Sequence, residues 1–260
     1  MATMSAYLSD LRQRLLRGRR AIQLKLPARL SLRITRTGNF DKSDLGRALD
    51  EAFRLAESGR NELPAWIIGM SGMSGRRYRF LVNAVVGLIS RPVYMEVGSW
   101  SGSTAASVLA GNSCELICID NWSQFDGPRE EFLANMSRAN TSSNRVQILE
   151  KDFREVDFRS LEPKANIYLF DGPHSESDQF DGVVMAMPAL QNQFLLVVDD
   201  YNWAQVRIGT ERALAELGVE VEASIRIRTD GWGLGPAHLF QDSDWHNGYF
   251  LAVVTKTPGA

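Results

Sequence analysis

From residue 93 to residue 217 the chain alternates short apolar runs with helix-length segments, and this regularity restricts the fold more than any other feature. An apolar run at 93–97 precedes a helical segment at about 102–110. The run 116–119 precedes about 128–139, and the run 146–150 precedes a short helical piece. The run 167–170 precedes about 177–190, and 194–198 precedes about 203–217. Strands separated by helices of this length cannot be hairpins, so they form a parallel sheet covered by helices on both faces. Two later β-rich segments, 219–228 and 248–256, have no helical pattern between them. They predict an antiparallel closing hairpin carrying a long insert, 229–247. The expected architecture is an α/β, doubly wound, mostly parallel seven-stranded sheet, preceded by an N-terminal helical extension.

The 260 residues suffice for one α/β domain and an extension, expected as 1–75 and 76–260. With 44% hydrophobic and 23% charged residues, the chain reads as an ordinary globular protein. A net charge of −2 gives no reason to expect a nucleic-acid partner. No run approaches the ~20 apolar residues of a membrane span, and the N-terminal segment is too interrupted by charge for a signal peptide. Cytoplasm is the expected location. Cys114 and Cys118 lie four apart in a strand pattern, on one side, and read as reduced core thiols.

Residues 1–40 carry nine basic residues, including Arg33 and Arg36, against one acid, Asp10. Two readings compete. One is a helix whose Leu8, Leu11, Leu15 and Leu16 pack on a neighbour, with homodimerisation through this surface as an option. The other is a basic arm for an acidic partner. Residues 42–58 then read as an amphipathic helix that Ser43 or Asp41 can cap and Gly59 ends. A turn-rich connection, 60–75, leads into a second helix at about 76–90.

Candidate chemistry sits at the strand ends. The first run closes on Glu96-Val-Gly98-Ser-Trp100-Ser-Gly102-Ser103, a glycine-bearing turn into a helix. Such a turn brings backbone N–H groups against a nucleotide-like ligand. It departs from G-x-G-x-x-G because Trp100 stands at the middle glycine position, where a pyrophosphate needs close approach. A dinucleotide cofactor is therefore disfavoured, and a ligand with a sulfonium and an amino-acid tail suits the loop better. The second strand ends at Asp120-Asn121-Trp122, an acid placed for ribose hydroxyls. The third ends near Asp152-Phe153, an acid for an adenine amino group beside a ring to line it. Each acid alone would read equally well as a helix cap. Two further acidic ends follow: Asp171-Gly-Pro-His174 and Asp199-Asp200. Carboxylates at neighbouring strand ends converge, and a hard divalent cation such as Mg²⁺ would relieve their repulsion. Capping of the following helix is the alternative use of Asp199 or Asp200.

Residues 93–256 resemble the class I S-adenosylmethionine-dependent methyltransferases, and the Glu-x-Gly-x-Trp-x-Gly loop is similar to that of the catechol and macrolide-sugar O-methyltransferase branch. The resemblance implies Glu96, Gly98, Trp100 and Ser103 near the methionine part of the cofactor, Asp120 with Asn121 and Trp122 near the ribose, and Asp152 with Phe153 near the adenine. It implies Asp171, Asp199 and Asp200 as ligands of Mg²⁺ or another divalent cation, with Asp171 also near the cofactor. His174, three residues after Asp171, falls where the macrolide-sugar branch keeps a histidine base. Asp200 departs from the asparagine usual in the catechol branch. The Asn-Pro-Pro-Tyr signature of amino-methylation is absent from the fourth strand's end, where Phe170-Asp-Gly-Pro-His174 stands. The implied activity is methylation of a hydroxyl on a small molecule or sugar. A metal-independent methyltransferase and a cofactor-binding interaction protein without turnover are the alternatives. Trp232, His238, Trp245 and His246 in the late insert read either as a lid or aromatic platform over the substrate or as a self-packed loop.

Overall fold

Strand parity decides how this protein is built: along every central strand, successive side chains enter two different cores. The computed structural model describes residues 32–142, 144–230 and 243–257. Its strands are β1 (Arg33–Gly38), β2 (Val93–Val97), β3 (Glu115–Asp120), β4 (Arg145–Glu150), β5 (Ala165–Phe170), β6 (Leu190–Val198), β7 (Glu220–Arg228) and β8 (Tyr249–Thr255). Its helices are α1 (Asp44–Ser58), α2 (Ala65–Ile68), α3 (Arg76–Leu88), α4 (Ser103–Leu109), α5 (Arg129–Ala139), α6 (Glu176–Ala186) and α7 (Ala204–Leu217). Tyr94, Leu116, Cys118, Ile167, Leu169, Leu195 and Val197 pack with α1, α3, α4 and α5 in one core. Their neighbours Met95, Ile117, Ile119, Tyr168, Phe170, Leu196 and Val198 pack with α6 and α7 in the other. A sheet buried on both faces needs continuous apolar strands, and Ala165–Phe170 is buried at every position.

The strand order is β1-β7-β8-β6-β5-β2-β3-β4. Strands β4, β3, β2, β5 and β6 are parallel, and β8 inserts antiparallel between β6 and β7. From β2 the chain steps outward to β3 and β4, then returns to place β5 on the other side of β2. The C-terminal ends of β2 and β5 therefore flank a topological switch point, where open α/β sheets bind ligands. The α/β, Rossmann-like architecture and the antiparallel hairpin are as expected, and each of the seven expected strands forms.

An eighth strand corrects the reading of the N-terminal segment. Arg33–Gly38 pairs antiparallel with β7, Arg33 opposite Arg228 and Gly38 opposite Ala223, so Arg33 and Arg36 belong to a sheet edge. Ile34 reaches the core, while Arg36 pairs with Asp50 and lies 4.6 Å from the Phe40 ring centroid. A short edge strand lined with charge discourages pairing with other chains. Ser31–Ala260 forms one compact unit; the basic stretch before residue 32 lies outside the described residues. Ser43 caps α1 through Gly46 N (3.2 Å), and Gly59 ends it at φ 76°. Both cysteines are free and buried, on the same face of the sheet. Among the described residues no helix is long and apolar enough to cross a membrane.

Gly182 on α6 shows how tightly the second core is packed. A Cβ there would stand 2.0 Å from Cε2 of Phe170, the last residue of β5. Alanine is the better helix former by about 1 kcal/mol, but the collision overpacks the core. Gly182→Ala is expected to lower stability by about 1–3 kcal/mol, read as a shift in the urea unfolding midpoint at unchanged slope; a rise in the midpoint would contradict this packing.

Candidate functional site

The switch point is closed by one backbone contact. Gly98, just past β2, has φ +93°, and a Cβ there would lie 1.9 Å from the carbonyl oxygen of Asp171, just past β5. Only glycine lets the two turns meet. Gly98 N donates to Ile119 O (2.9 Å), and Asp171 N donates to Val97 O (2.9 Å). Gly102 (φ +85°) is required for a different reason: a Cβ would enter the space of Met136 and Phe132 on α5.

The loop between these glycines is braced by the acid at the end of β3. Asp120 accepts from Trp100 N through Oδ2 (2.8 Å) and from Trp122 N through Oδ1 (2.7 Å). Trp122 Nε1 donates to Trp100 O (2.9 Å), and Trp100 Nε1 donates to Phe125 O (3.1 Å). Trp100 and Trp122 both hold positive φ, 45° and 49°, an uncommon conformation for bulky residues that persists only when its surroundings enforce it. Asn121 is exposed and accepts from Ser123. Ser103 is buried and shares a hydrogen bond with Ser74 (3.0 Å), while Ser101 Oγ donates to Ser71 O (3.1 Å). The 70–74 segment is thereby tied to the loop. Arg79, fully buried, organises that segment from below by donating to Ile67 O, Met70 O and Ser74 Oγ.

Glu96 is buried at the end of β2, with Tyr94 OH donating to Oε2 (3.0 Å) and Oε1 without a partner. Burial pushes its carboxyl up to about 7, against the pull of Ser99 and Tyr94. An unpaired buried carboxylate oxygen is costly and fits a cationic ammonium at this spot.

Asp152 lies farther from this loop in role. It caps a single 3₁₀ turn by accepting from Arg154 N (3.0 Å). Phe153 turns into the core, edge-on to Phe170 at 5.3 Å. Phe153 is packed in the second core, and one oxygen of Asp152 makes the capping contact.

The acidic strand ends do come together. Asp199 and Asp200 follow β6 and are buried, and His246, from the loop before β8, joins them. One ligand atom from each of these three residues lies within 4.8 Å of the others. Successive strand residues normally face opposite ways, but Asp200 at φ 52° breaks the extended backbone and returns its carboxylate to the same side. Asp200 Oδ2 is 3.6 Å from His174 Nε2, and Oδ1 is 3.6 Å from His246 Nε2; Asp171 Oδ1 is 3.7 Å from His174 Nε2. These separations are longer than hydrogen bonds. Asp199 Oδ1, Asp200 Oδ1 and His174 Nε2 are all buried without a partner. Burial, then the neighbouring carboxylates, hold Asp171 and Asp199 well above the usual carboxylate range. Burial holds His174 and His246 below the ordinary histidine value, with Asp200 pulling the other way. Orphaned carboxylate oxygens beside neutral imidazoles form a donor set that fits a divalent cation.

The side chains that follow Asp200 and those of the late insert divide. Tyr201 stacks on Phe250 at 5.1 Å, in the second core. Asn202 ties two loops together through Thr229 and Asn247. Trp203 meets His174 edge-on at 5.2 Å. Trp245 is buried beside Phe53 and Tyr249, a core side chain rather than a platform. Trp232 and His238 lie outside the described residues.

Asp199 supplies a test of the electrostatics. A carboxyl whose folded pKa is raised stabilises the protein below its ordinary value, about 3.9, and that stability is lost as pH rises toward the folded value. In chelator, Asp199→Asn is expected to flatten the decline of Tm with rising pH and to raise Tm at pH 8 by a few degrees, at about 2–4 °C per kcal/mol. A lower Tm for the variant across the range would contradict the reading.

Residues 95–201 match a family model described as a methyltransferase domain. No curated protein matches the chain. Among solved structures, cofactor-bound Rv0187 from MTB is similar at 16% identity over 81% of this chain and 91% of that one, with a TM-score of 0.50. An O-methyltransferase from Bacillus cereus in complex with SAH is similar at 13% identity over 80% and 91%, with a TM-score of 0.50. At such identities the structural likeness speaks for the fold.

Proposed function

We propose that this chain is a class I S-adenosylmethionine-dependent methyltransferase, as its match to a methyltransferase-domain model over residues 95–201 supports, and that it methylates a hydroxyl of a small molecule or sugar, with a divalent cation such as Mg²⁺ at Asp171, Asp199 and Asp200 and with His174 as general base. The observation that carries this reading is the pair of buried, unpartnered carboxylate oxygens at the end of β6, Asp199 Oδ1 and Asp200 Oδ1, beside His174 Nε2, which lies 3.7 Å from Asp171 and 3.6 Å from Asp200.

Glu96 and the Gly98–Ser103 loop would hold the amino-acid end of the cofactor: the carboxylate meets the ammonium, and the glycine turn admits the tail. Asp120 keeps a second lone pair on each oxygen for ribose hydroxyls after accepting its two backbone N–H groups. When bound, S-adenosylmethionine supplies a methyl group on a sulfonium, and a divalent cation lowers the pKa of a hydroxyl and fixes its oxygen. The chain's own part is to position and to move a proton. His174, neutral because it is buried, accepts the hydroxyl proton at Nε2 as the oxygen takes the methyl group. The imidazolium so formed faces Asp171 and Asp200, which stabilise it. Trp203, edge-on to the ring, restricts its orientation. Alignment inside a buried site can contribute up to about 10 kcal/mol.

His174→Gln is expected to lower kcat by about 100- to 10,000-fold while SAH affinity, measured by calorimetry, stays within threefold. A variant that keeps its turnover would remove His174 from the chemistry. Glu96 gives an independent test. Its ionised form binds the ammonium, so protons compete with the ligand below about 7. SAH affinity should fall as pH drops from 8 to 6, approaching about tenfold per pH unit below that value, and Glu96→Gln should remove the slope. A pH-independent affinity in the unsubstituted protein would sink the assignment of Glu96.

A further inference from the structure

We infer that the imidazole of His246 is itself a ligand of the bound cation, so that the site mixes nitrogen and oxygen donors and selects a first-row transition ion such as Mn²⁺ over Mg²⁺. The inference rests on the metal-dependent reading above and adds a residue to it.

The geometry comes first. Ligand atoms of Asp199, Asp200 and His246 fall within 4.8 Å of one another. Donors sharing one ion at about 2.1 Å stand about 3–4 Å apart, so a small contraction closes the set. His246 Nε2 lies 3.6 Å from Asp200 Oδ1, too far for a hydrogen bond and close to the spacing of two ligands on one ion. Asp199 Oδ1 and Asp200 Oδ1 are buried and unpartnered, so they are available to an ion at this point.

The placement of His246 is enforced by its surroundings. Ser243 O accepts from Arg76 N at the start of α3 (2.8 Å), and Ser243 Oγ accepts from His246 N (2.8 Å). Thr229 Oγ1 donates to His246 O (2.8 Å). Asn202 N donates to Asn247 O (3.0 Å), and Tyr201 N donates to Gly248 O (3.1 Å), which fastens the loop to the turn that bears Asp199 and Asp200. His246 and Asp200 hold φ of 38° and 52°. Two non-glycine residues in that region cost of order 1–3 kcal/mol each and cluster where a site requires them.

The chemistry separates the two imidazoles around Asp200. His174 faces Oδ2 and also Asp171, whereas His246 faces Oδ1 in company with Asp199. His174 therefore suits proton transfer, and His246 suits coordination. Imidazole is a borderline donor favoured by transition ions, while Mg²⁺ keeps to oxygen ligands and water.

Pulsed electron paramagnetic resonance of the full chain loaded with Mn²⁺ tests this directly. The expected result is ¹⁴N modulation from a coordinated imidazole, with Mn²⁺ bound at least about tenfold more tightly than Mg²⁺ in competition. His246→Asn and His246→Gln should abolish the modulation and weaken Mn²⁺ by about tenfold or more, while Mg²⁺ affinity changes less than threefold. His174→Gln should retain the modulation. The unsubstituted protein carries the test even if both His246 variants misfold. Mn²⁺ binding without ¹⁴N modulation, or modulation that survives loss of His246, overturns the inference and leaves the metal reading standing. Failure of both ions to bind at millimolar concentration overturns the two together.

Discussion

The site depends on a buried concentration of negative charge that the fold holds in place without cancelling it. Asp171, Asp199 and Asp200 sit at the tips of two adjacent parallel strands, and no arginine or lysine pairs with them among the described residues. Asp171 and Asp199 resist ionisation because they are out of water and because neighbouring carboxylates are near. Such an arrangement is unfavourable for folding alone. It persists because the strands that carry it lie in the centre of the sheet, buried on both faces, where Phe170 and Val198 are fixed by α6 and α7. Core packing holds the carboxylates in their unfavourable placement, and a cation or a protonated base is what their field favours.

The same centre explains why the neighbouring loop is built as it is. Gly98 touches the Asp171 carbonyl, so the glycine loop after β2 and the turn that begins the acidic site are one packed unit. Asp120 fixes the far side of that loop through two backbone N–H groups. Trp100, which argues against a pyrophosphate in the sequence, finds its place by donating to Phe125 O and accepting at its carbonyl from Trp122. The strained φ values at both tryptophans are therefore consequences of a braced turn, and the brace begins at Asp120.

Much of the frame was legible in the sequence because periodicity is a local signal. The central strands are apolar runs with helices of ordinary length between them, and seven strands and the long helices follow from that pattern. What escaped it depends on distance. β1 carries arginine and threonine around a single apolar residue, Ile34, and becomes a strand only because β7 offers its edge. Phe153 stands at the expected position after β4, yet its ring follows the core toward Phe170; position along a strand does not fix where a side chain turns after the strand has ended. The approach of Asp171, Asp199 and Asp200 is legible because adjacent strand ends converge by topology, whereas His174 stands out only through the family resemblance. The proximity of His246 to them is not legible, because it depends on where a loop before β8 lies, and only the antiparallel insertion of β8 next to β6 brings that loop over the tips.

That insertion has a functional reading. An all-parallel sheet would leave the far side of β6 to another crossover helix, and the side of the site beyond Asp200 would be closed by whatever loop followed. Here β8 runs the other way, so its N-terminal loop arrives at the same end of the sheet as the C-terminal ends of β5 and β6. Three different connections therefore converge: the turn after β5 brings His174, the turn after β6 brings Asp199 and Asp200, and the loop into β8 brings His246. Each imidazole reaches a different oxygen of one carboxylate, Asp200. A single side chain thus stands between the residue assigned to move the proton and the residue assigned to hold the ion, and its left-handed backbone is what turns both oxygens toward them.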